Sequence, residues 1–380
     1  MQKVLKFILI SLMSLTLLAG CVEKNVLEQL GIVTAYGFDK ANGNDMLQST
    51  TVLFQFNPDI TDASQIIYSE GHTFRELKKN ANKKSGYKIV SGQLRTILYG
   101  PELAREGIFP YIDTLERDAA ISDMVYIAVS NQPTQHVLSA TNYEQSPNIG
   151  TYIQRLIETA IEDERLNSNT LHEFTRAFFT IGQDPLVPII KNHNDKAQLT
   201  GLAIFQDDRY VDELPLDDIF YVLLMTKQLK AGKVELNFPI ESFLNYMEDY
   251  EKPDSDQVFV VLEKISNKTD VKITDIENLK YRVDINLEGR LVELTERIDL
   301  SNREALDLLE KTINKQIETK IEELIEKSKE ANADFYGFGK KYISKKEGKN
   351  ITKEQWRDMF QDIDVQVNVS TTIRSYGIIE

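Results

Sequence analysis

Residues 301–330 read SNREALDLLEKTINKQIETKIEELIEKSKE. Leu306, Leu309, Ile313, Ile317, Ile321, Leu324 and Ile325 recur in steps of three or four, the spacing that puts apolar side chains on one face of an α-helix. At 1.5 Å per residue the helix is a rod of roughly 45 Å. Ser301 followed three residues later by Glu304 predicts a capping box at its start. Asp307 with Lys311 and Glu323 with Lys327 supply i,i+4 pairs on the opposite, wet face. The stripe is read as the face docked on the protein's own sheet, with a partner groove as the alternative.

Working outward, strands are expected over 281–287 and 291–300, turning at Gly289. After the helix come a second helix over 353–360 carrying Trp356 and an alternating strand over 363–370, open to extension as far as Ile373. This C-terminal unit is placed from about Asn267. Before it lie a strand over 199–206, a turn at 207–209, a strand over 210–213, an apolar helix over 216–229, a polar stretch over 251–257 and a strand over 258–264. Further back, β-branched and aromatic runs at 32–38 and 46–56 flank an Asn42-Gly43 turn, a hairpin signal. Helices follow over 73–84, 101–107, 110–118, 149–164 and 170–178, alternating with strands over 95–99 and 124–129. The Gly- and Pro-bearing loop 182–188 and the polar run 191–196 mark a boundary. The expected fold is α+β, three mixed α/β domains with mainly antiparallel sheets, over 21–195, 196–266 and 267–380.

The chain has 380 residues, 42% of them apolar and 27% charged, with 18 Gly and 10 Pro, which excludes disordered and collagen-like classes. Its 44 Lys and Arg against 59 Asp and Glu, net −15, suit neither nucleic acid nor an anionic lipid surface. One Cys excludes a disulfide framework, and with only four His it leaves little for a structural zinc site.

That Cys sits at an informative place. Lys3 and Lys6 precede a twelve-residue, mostly apolar run from Phe7 to Leu18, then Leu18-Ala19-Gly20-Cys21. The segment 1–20 reads as a signal peptide, too short and too interrupted by Ser11, Ser14 and Thr16 for a permanent span. Its ending resembles the bacterial lipobox, in which the thiol becomes a diacylglyceryl thioether and the mature chain begins at that Cys. Two acyl chains give stable anchoring without a basic patch. An ordinary cleavage nearby, or a free buried Cys21, is the plainer alternative. Removing 1–20 leaves 42 bases against 59 acids, net −17, so the acyl chains and not electrostatics would hold the body at a membrane.

The catalytic inventory is thin. The chain contains no G-x-S-x-G, no phosphate-loop signature, no G-x-G-x-x-G opening a helix and no H-E-x-x-H. His172-Glu173 begins like the last of these, but Arg176 occupies the position of the second His. His72, His136 and His193 lack ligand spacing. Asp39 opens an acidic turn, yet Ala41 and Gly43 occupy the third and fifth loop positions where calcium needs oxygen ligands. Adjacent carboxylates such as Asp207-Asp208, Asp217-Asp218 and Glu322-Glu323 point to different faces and cannot converge on one atom. No catalytic residue, cofactor or metal site is expected.

Several stretches, taken in order, resemble the Ger(x)C family of spore germination lipoproteins: LGIVTAYGFDK (30–40), YGPELAREGIFPYIDTLERD (99–118), DPLVP (184–188), LTGLAIFQDDRYVDEL (199–214), ADFYGFGKKY (333–342), Trp356, and the closing strand before Gly377. No string is specific alone; their order and separation carry the resemblance. The chain departs from the pattern at Ser130 to His136, where Asn131-Gln132-Pro133 replaces Gly and small residues. The resemblance implies a three-domain α+β lipoprotein on the outer face of the inner spore membrane. It would act without catalysis beside a transporter-like integral membrane subunit and a further membrane subunit of a nutrient germinant receptor, with any contact to the small-molecule germinant indirect. The competing readings are a lipid-anchored solute-binding protein, which needs two similar lobes around a cleft, and a surface hydrolase. The long helix and the β-rich second half argue against the first, and the missing motifs against the second.

Overall fold

The computed structural model describes residues 27–41, 46–56, 64–247, 255–345 and 350–376. The segment 1–20, Cys21 and the Asn42-Gly43 turn lie outside them.

One sheet has nine strands: β1 (Leu30–Lys40), β2 (Leu47–Phe54), β3 (Ser64–Gly71), β4 (Lys88–Val90), β5 (Thr96–Tyr99), β6 (Tyr126–Ser130), β7 (Leu186–His193), β8 (Lys196–Gln206) and β9 (Arg209–Pro215). Its order is β3-β2-β1-β5-β6-β7-β8-β9, with β4 also beside β1. A parallel centre from β1 to β7 is flanked by antiparallel strands on both sides. The second sheet is β10 (Gly232–Pro239), β11 (Gln257–Asp275), β12 (Lys280–Leu294) and β13 (Asp364–Tyr376), antiparallel except for the β12–β13 pair. The fold is the expected α+β, and six of the eleven strand pairs among the described residues are antiparallel.

The helices are α1 (Phe74–Lys84), α2 (Pro101–Glu106), α3 (Phe109–Glu116), α4 (Thr134–Leu138) and α5 (Ile149–Glu162). They continue with α6 (Leu171–Phe179), α7 (Ile219–Thr226), α8 (Arg303–Glu330), α9 (Phe338–Ile343) and α10 (Lys353–Phe360). β1 is buried on both faces because it is central, as its almost unbroken apolar run requires. Val33, Tyr36 and Phe38 face a core shared with α1, α2, α3 and α6, and Ala35 faces α4 and α5.

The long helix packs as its periodicity demands: Leu309, Ile313, Ile317, Ile321, Leu324 and Ile325 are buried with the side chains of the second sheet. Three details differ from expectation. Asn302, not Ser301, caps α8, its side chain accepting from Glu304 N at 2.9 Å, while the Ser301 hydroxyl is occupied by Asp299. Lys327 pairs with Asp212 (3.1 Å), and Lys320 pairs with Asp218 (2.9 Å) as well as Glu323, so the wet face of the helix is tied to the chain around β9. Gly289 does not turn the chain; β12 runs straight through it with a bulge, paired to β11 on one side and β13 on the other. The positions 195/196 and 266/267 lie in the β7–β8 hairpin turn and inside β11, where hydrogen bonds cross both. One core spans the junction of the sheets, joining Leu202, Ile204 and Leu214 to α7, α8 and the second sheet.

Candidate functional site

At that junction the segments 182–188, 206–209 and 332–342 meet α10. Asp334 follows the end of α8, where Asn332 takes a left-handed turn. Its carboxylate caps α9, accepting from the backbone N–H of Gly337 (2.7 Å), Phe338 (3.0 Å) and Gly339 (2.8 Å), and from Trp356 Nε1 (3.1 Å). Only 1% of Asp334 is exposed. Burial pushes its carboxyl up to about 7, against the pull of these donors.

Asp184, 5% exposed, is the second centre. Its Oδ1 accepts from Asp207 N (2.8 Å) and Arg357 Nη2 (2.7 Å), and its Oδ2 from Asp334 N (2.8 Å) and Arg357 Nη1 (3.2 Å). The Asp184 N–H donates back to Asp334 O at 2.9 Å, so the two loops hold each other reciprocally. Arg357 also donates to Asn332 O (2.6 Å) and pairs with Asp207 (3.0 Å). Lys353 pairs with Asp207, donates to Phe178 O (2.6 Å) and lies over the Phe178 ring. Gly182 and Gly339 let two backbones touch: a Cβ on either would stand 2.4 Å from the other's Cα. Beside this knot is a cavity of about 280 Å³ whose lining includes Asn167, Asn169, Arg176, Gln183 and Lys340.

A second knot lies at the other end of the first sheet's parallel strands. Asp39 accepts from Thr134 N (3.0 Å to each oxygen) and Thr134 Oγ1 (2.5 Å). Burial raises its carboxyl and the Thr134 bonds oppose the rise. A Cβ on Gly100 would stand 2.0 Å from Asp39 Oδ1, and one on Gly37 would stand 2.3 Å from Thr134 Oγ1. Asp39 is thus held by the start of α4, inside the stretch 130–136 where the sequence departs from the pattern it otherwise resembles. Asp208 makes a third link, accepting from Phe109 N at 3.2 Å at the first residue of α3.

Chemically these carboxylates are acceptors already in use, so they serve as tethers between loops. Cys21 lies outside the described residues. His72, His136, His172 and His193 are exposed, and among the described residues no group of three or more His, Cys, Asp or Glu is arranged to hold a metal. Asp184, Asp334 and Arg357 belong to no catalytic motif in the sequence. Their signal was position: the first two fall in DPLVP and ADFYGFGKKY, and the third follows Trp356.

Asp184 and Asp334, which join the chain of the first sheet to that of the second, lie in two of the stretches that carry the resemblance. The descriptions "Spore germination protein N-terminal domain" and "Spore germination B3/ GerAC like, C-terminal" match residues 23–192 and 200–377. The chain belongs to the Ger(x)C family of spore germination proteins. It is similar to spore germination protein GerQC of Bacillus cereus, 22% identical with 99% of each chain covered. It is also similar to spore germination protein KC of Bacillus subtilis (strain 168), 23% identical over 97% of this chain and 94% of that one. The crystal structure of the GerBC protein shares the fold, with a TM-score of 0.52 and 18% identity over 92% of this chain and 100% of that one.

Proposed function

We propose that this chain is a non-catalytic, lipid-anchored subunit of a spore nutrient germinant receptor, required for the receptor's assembly and signalling. A diacylglyceryl group on Cys21 anchors it to the outer face of the inner spore membrane, beside a transporter-like integral subunit and a further membrane subunit. The observation that carries the reading is the match of both halves of the chain, in order, to spore germination domains, with relatives of that name aligned over nearly their whole length. The engaged carboxylates of the junction support a structural and not a catalytic role. The test is a spore-forming host lacking the gene, complemented with wild type or Cys21→Ala. Wild type should restore nutrient-triggered loss of optical density, carry an acylated N-terminal Cys by mass spectrometry and fractionate with membrane. Cys21→Ala should fail on all three counts. An unacylated wild-type chain that still fractionates with membrane would overturn the anchor, and full germination without the gene would overturn the receptor role.

A further inference from the structure

Eight large hydrophobic side chains are exposed among the described residues, and the three most exposed share one end of the first sheet. Phe179 (67%), Met124 (63%) and Phe56 (50%) are the three most exposed large hydrophobics among the described residues. All three lie at one end of the nine-stranded sheet, as the register shows. Ile32 pairs with Phe54, so Phe56 falls level with the start of β1. Tyr126 pairs with Thr96 and Thr96 with Ala35, so Met124, two residues before Tyr126, falls at the same end. Leu186 pairs with Ile204, which puts the turn at Asp207 there too. Lys353, paired with Asp207, donates to the carbonyl of Phe178, which places Phe179 beside that turn. The start of α6 is fixed at this end as well, through Leu171 N to Val125 O (3.0 Å).

Phe179 is held firmly although it is exposed. It meets Phe109 and Phe178 edge-on, at 5.3 and 5.2 Å between centroids, and those two rings stack at 3.9 Å. Phe179 is thus a positioned aromatic side chain standing in water at this end of the sheet. The described chain also begins here, at Leu27 just ahead of β1. Cys21 precedes Leu27 by six residue steps, a reach of at most about 20 Å at roughly 3.4 Å each.

We propose that this end of the sheet is the membrane-facing surface, with Phe56, Met124 and Phe179 seated at the headgroup level of the bilayer to which the anchor tethers it. The proposal rests on the lipid-anchor reading of Cys21. A body of net −17 has no electrostatic attraction to an anionic bilayer, so the contact is a shallow apolar one that the short tether makes possible.

Cys21 is the chain's single cysteine, and acylation consumes its thiol, so one introduced cysteine can be labelled uniquely. Full-length acylated protein carrying Phe56→Cys, Met124→Cys or Phe179→Cys is labelled with a polarity-sensitive fluorophore and reconstituted into phosphatidylcholine–phosphatidylglycerol vesicles. His193→Cys, exposed at the opposite end of β7, is the control. A melting transition matching wild type checks the fold of each variant. The expected result is a blue shift at all three sites and loss of their emission when headgroup-nitroxide lipid is included, with neither at position 193. If the protein is acylated and bound but the three labels stay as wet as the control, the face is wrong and the anchor stands. Labels that stay wet on vesicles yet are shielded in native spore membranes would assign the face to a protein partner and overturn the lipid contact. If Cys21 is unacylated and the chain does not bind vesicles, both readings fall together.

Discussion

Gly339 tolerates no side chain, because a Cβ there would stand 2.4 Å from Gly182 Cα and 2.5 Å from Trp356 Cε2. The nearer obstacle is backbone and cannot rotate away, so Gly339→Ala should lower stability by about 1–3 kcal/mol or more in urea unfolding. Gly92→Ala meets nothing within 4 Å and should stay within about 0.5 kcal/mol of wild type. Asp207 carries a pH prediction. Burial raises its carboxyl, but the bonds to Lys353 and Arg357 outweigh that and hold it below the ordinary 3.8. With the folded value depressed, its contribution is full above 3.8 and is lost as pH falls through the folded value. Asp207→Asn should therefore be less stable than wild type near pH 7 and lose less on acidification to pH 3, read from urea midpoints at the two pH values. A parallel fall in both proteins would show that the ion pairs do not set this limb.

The long helix α8 does two jobs at the scale of an element. Its apolar stripe fills the core over the second sheet, so Ile317→Ala should cost about 2–5 kcal/mol. Its flank also closes the open edge of β13. Glu310, Asn314 and Glu318, spaced one turn apart, accept from the N–H groups of Ile373 (2.8 Å), Thr371 (2.8 Å) and Val369 (2.9 Å). These are alternate residues of an edge strand, whose outward N–H groups would otherwise be free to pair with another chain. Asn314→Leu should remove one such bond, worth about 1 kcal/mol, and speed amide exchange at Thr371 several-fold. Unchanged exchange there would mean that burial alone protects the edge.

The two sheets share one core at the scale of the whole molecule, with Leu202, Ile204 and Leu214 of the first packed in the same cluster as Leu236, Val260 and Ile317 of the second half. A calorimetric scan should accordingly give a single transition with calorimetric and van't Hoff enthalpies equal, and two resolved transitions would contradict it. The sequence by itself determined what short-range spacing controls. The 3.6-residue period of 301–330 set both the helix and its buried face, and the β-branched and aromatic runs at 32–38 and 46–56 marked the strands β1 and β2. Tertiary structure decided what depends on remote neighbours. Gly289 has the composition of a turn, yet strands on both sides keep it in a bulge. Ser301 has the spacing of a cap, yet Asp299 takes its hydroxyl and leaves Asn302 to do the work. Asp184 and Asp334 lie 150 residues apart, and Arg357 lies 173 beyond Asp184. Each looks like an ordinary surface charge in its own segment, because only packing can bury a carboxylate and bring it the donors that make burial tolerable.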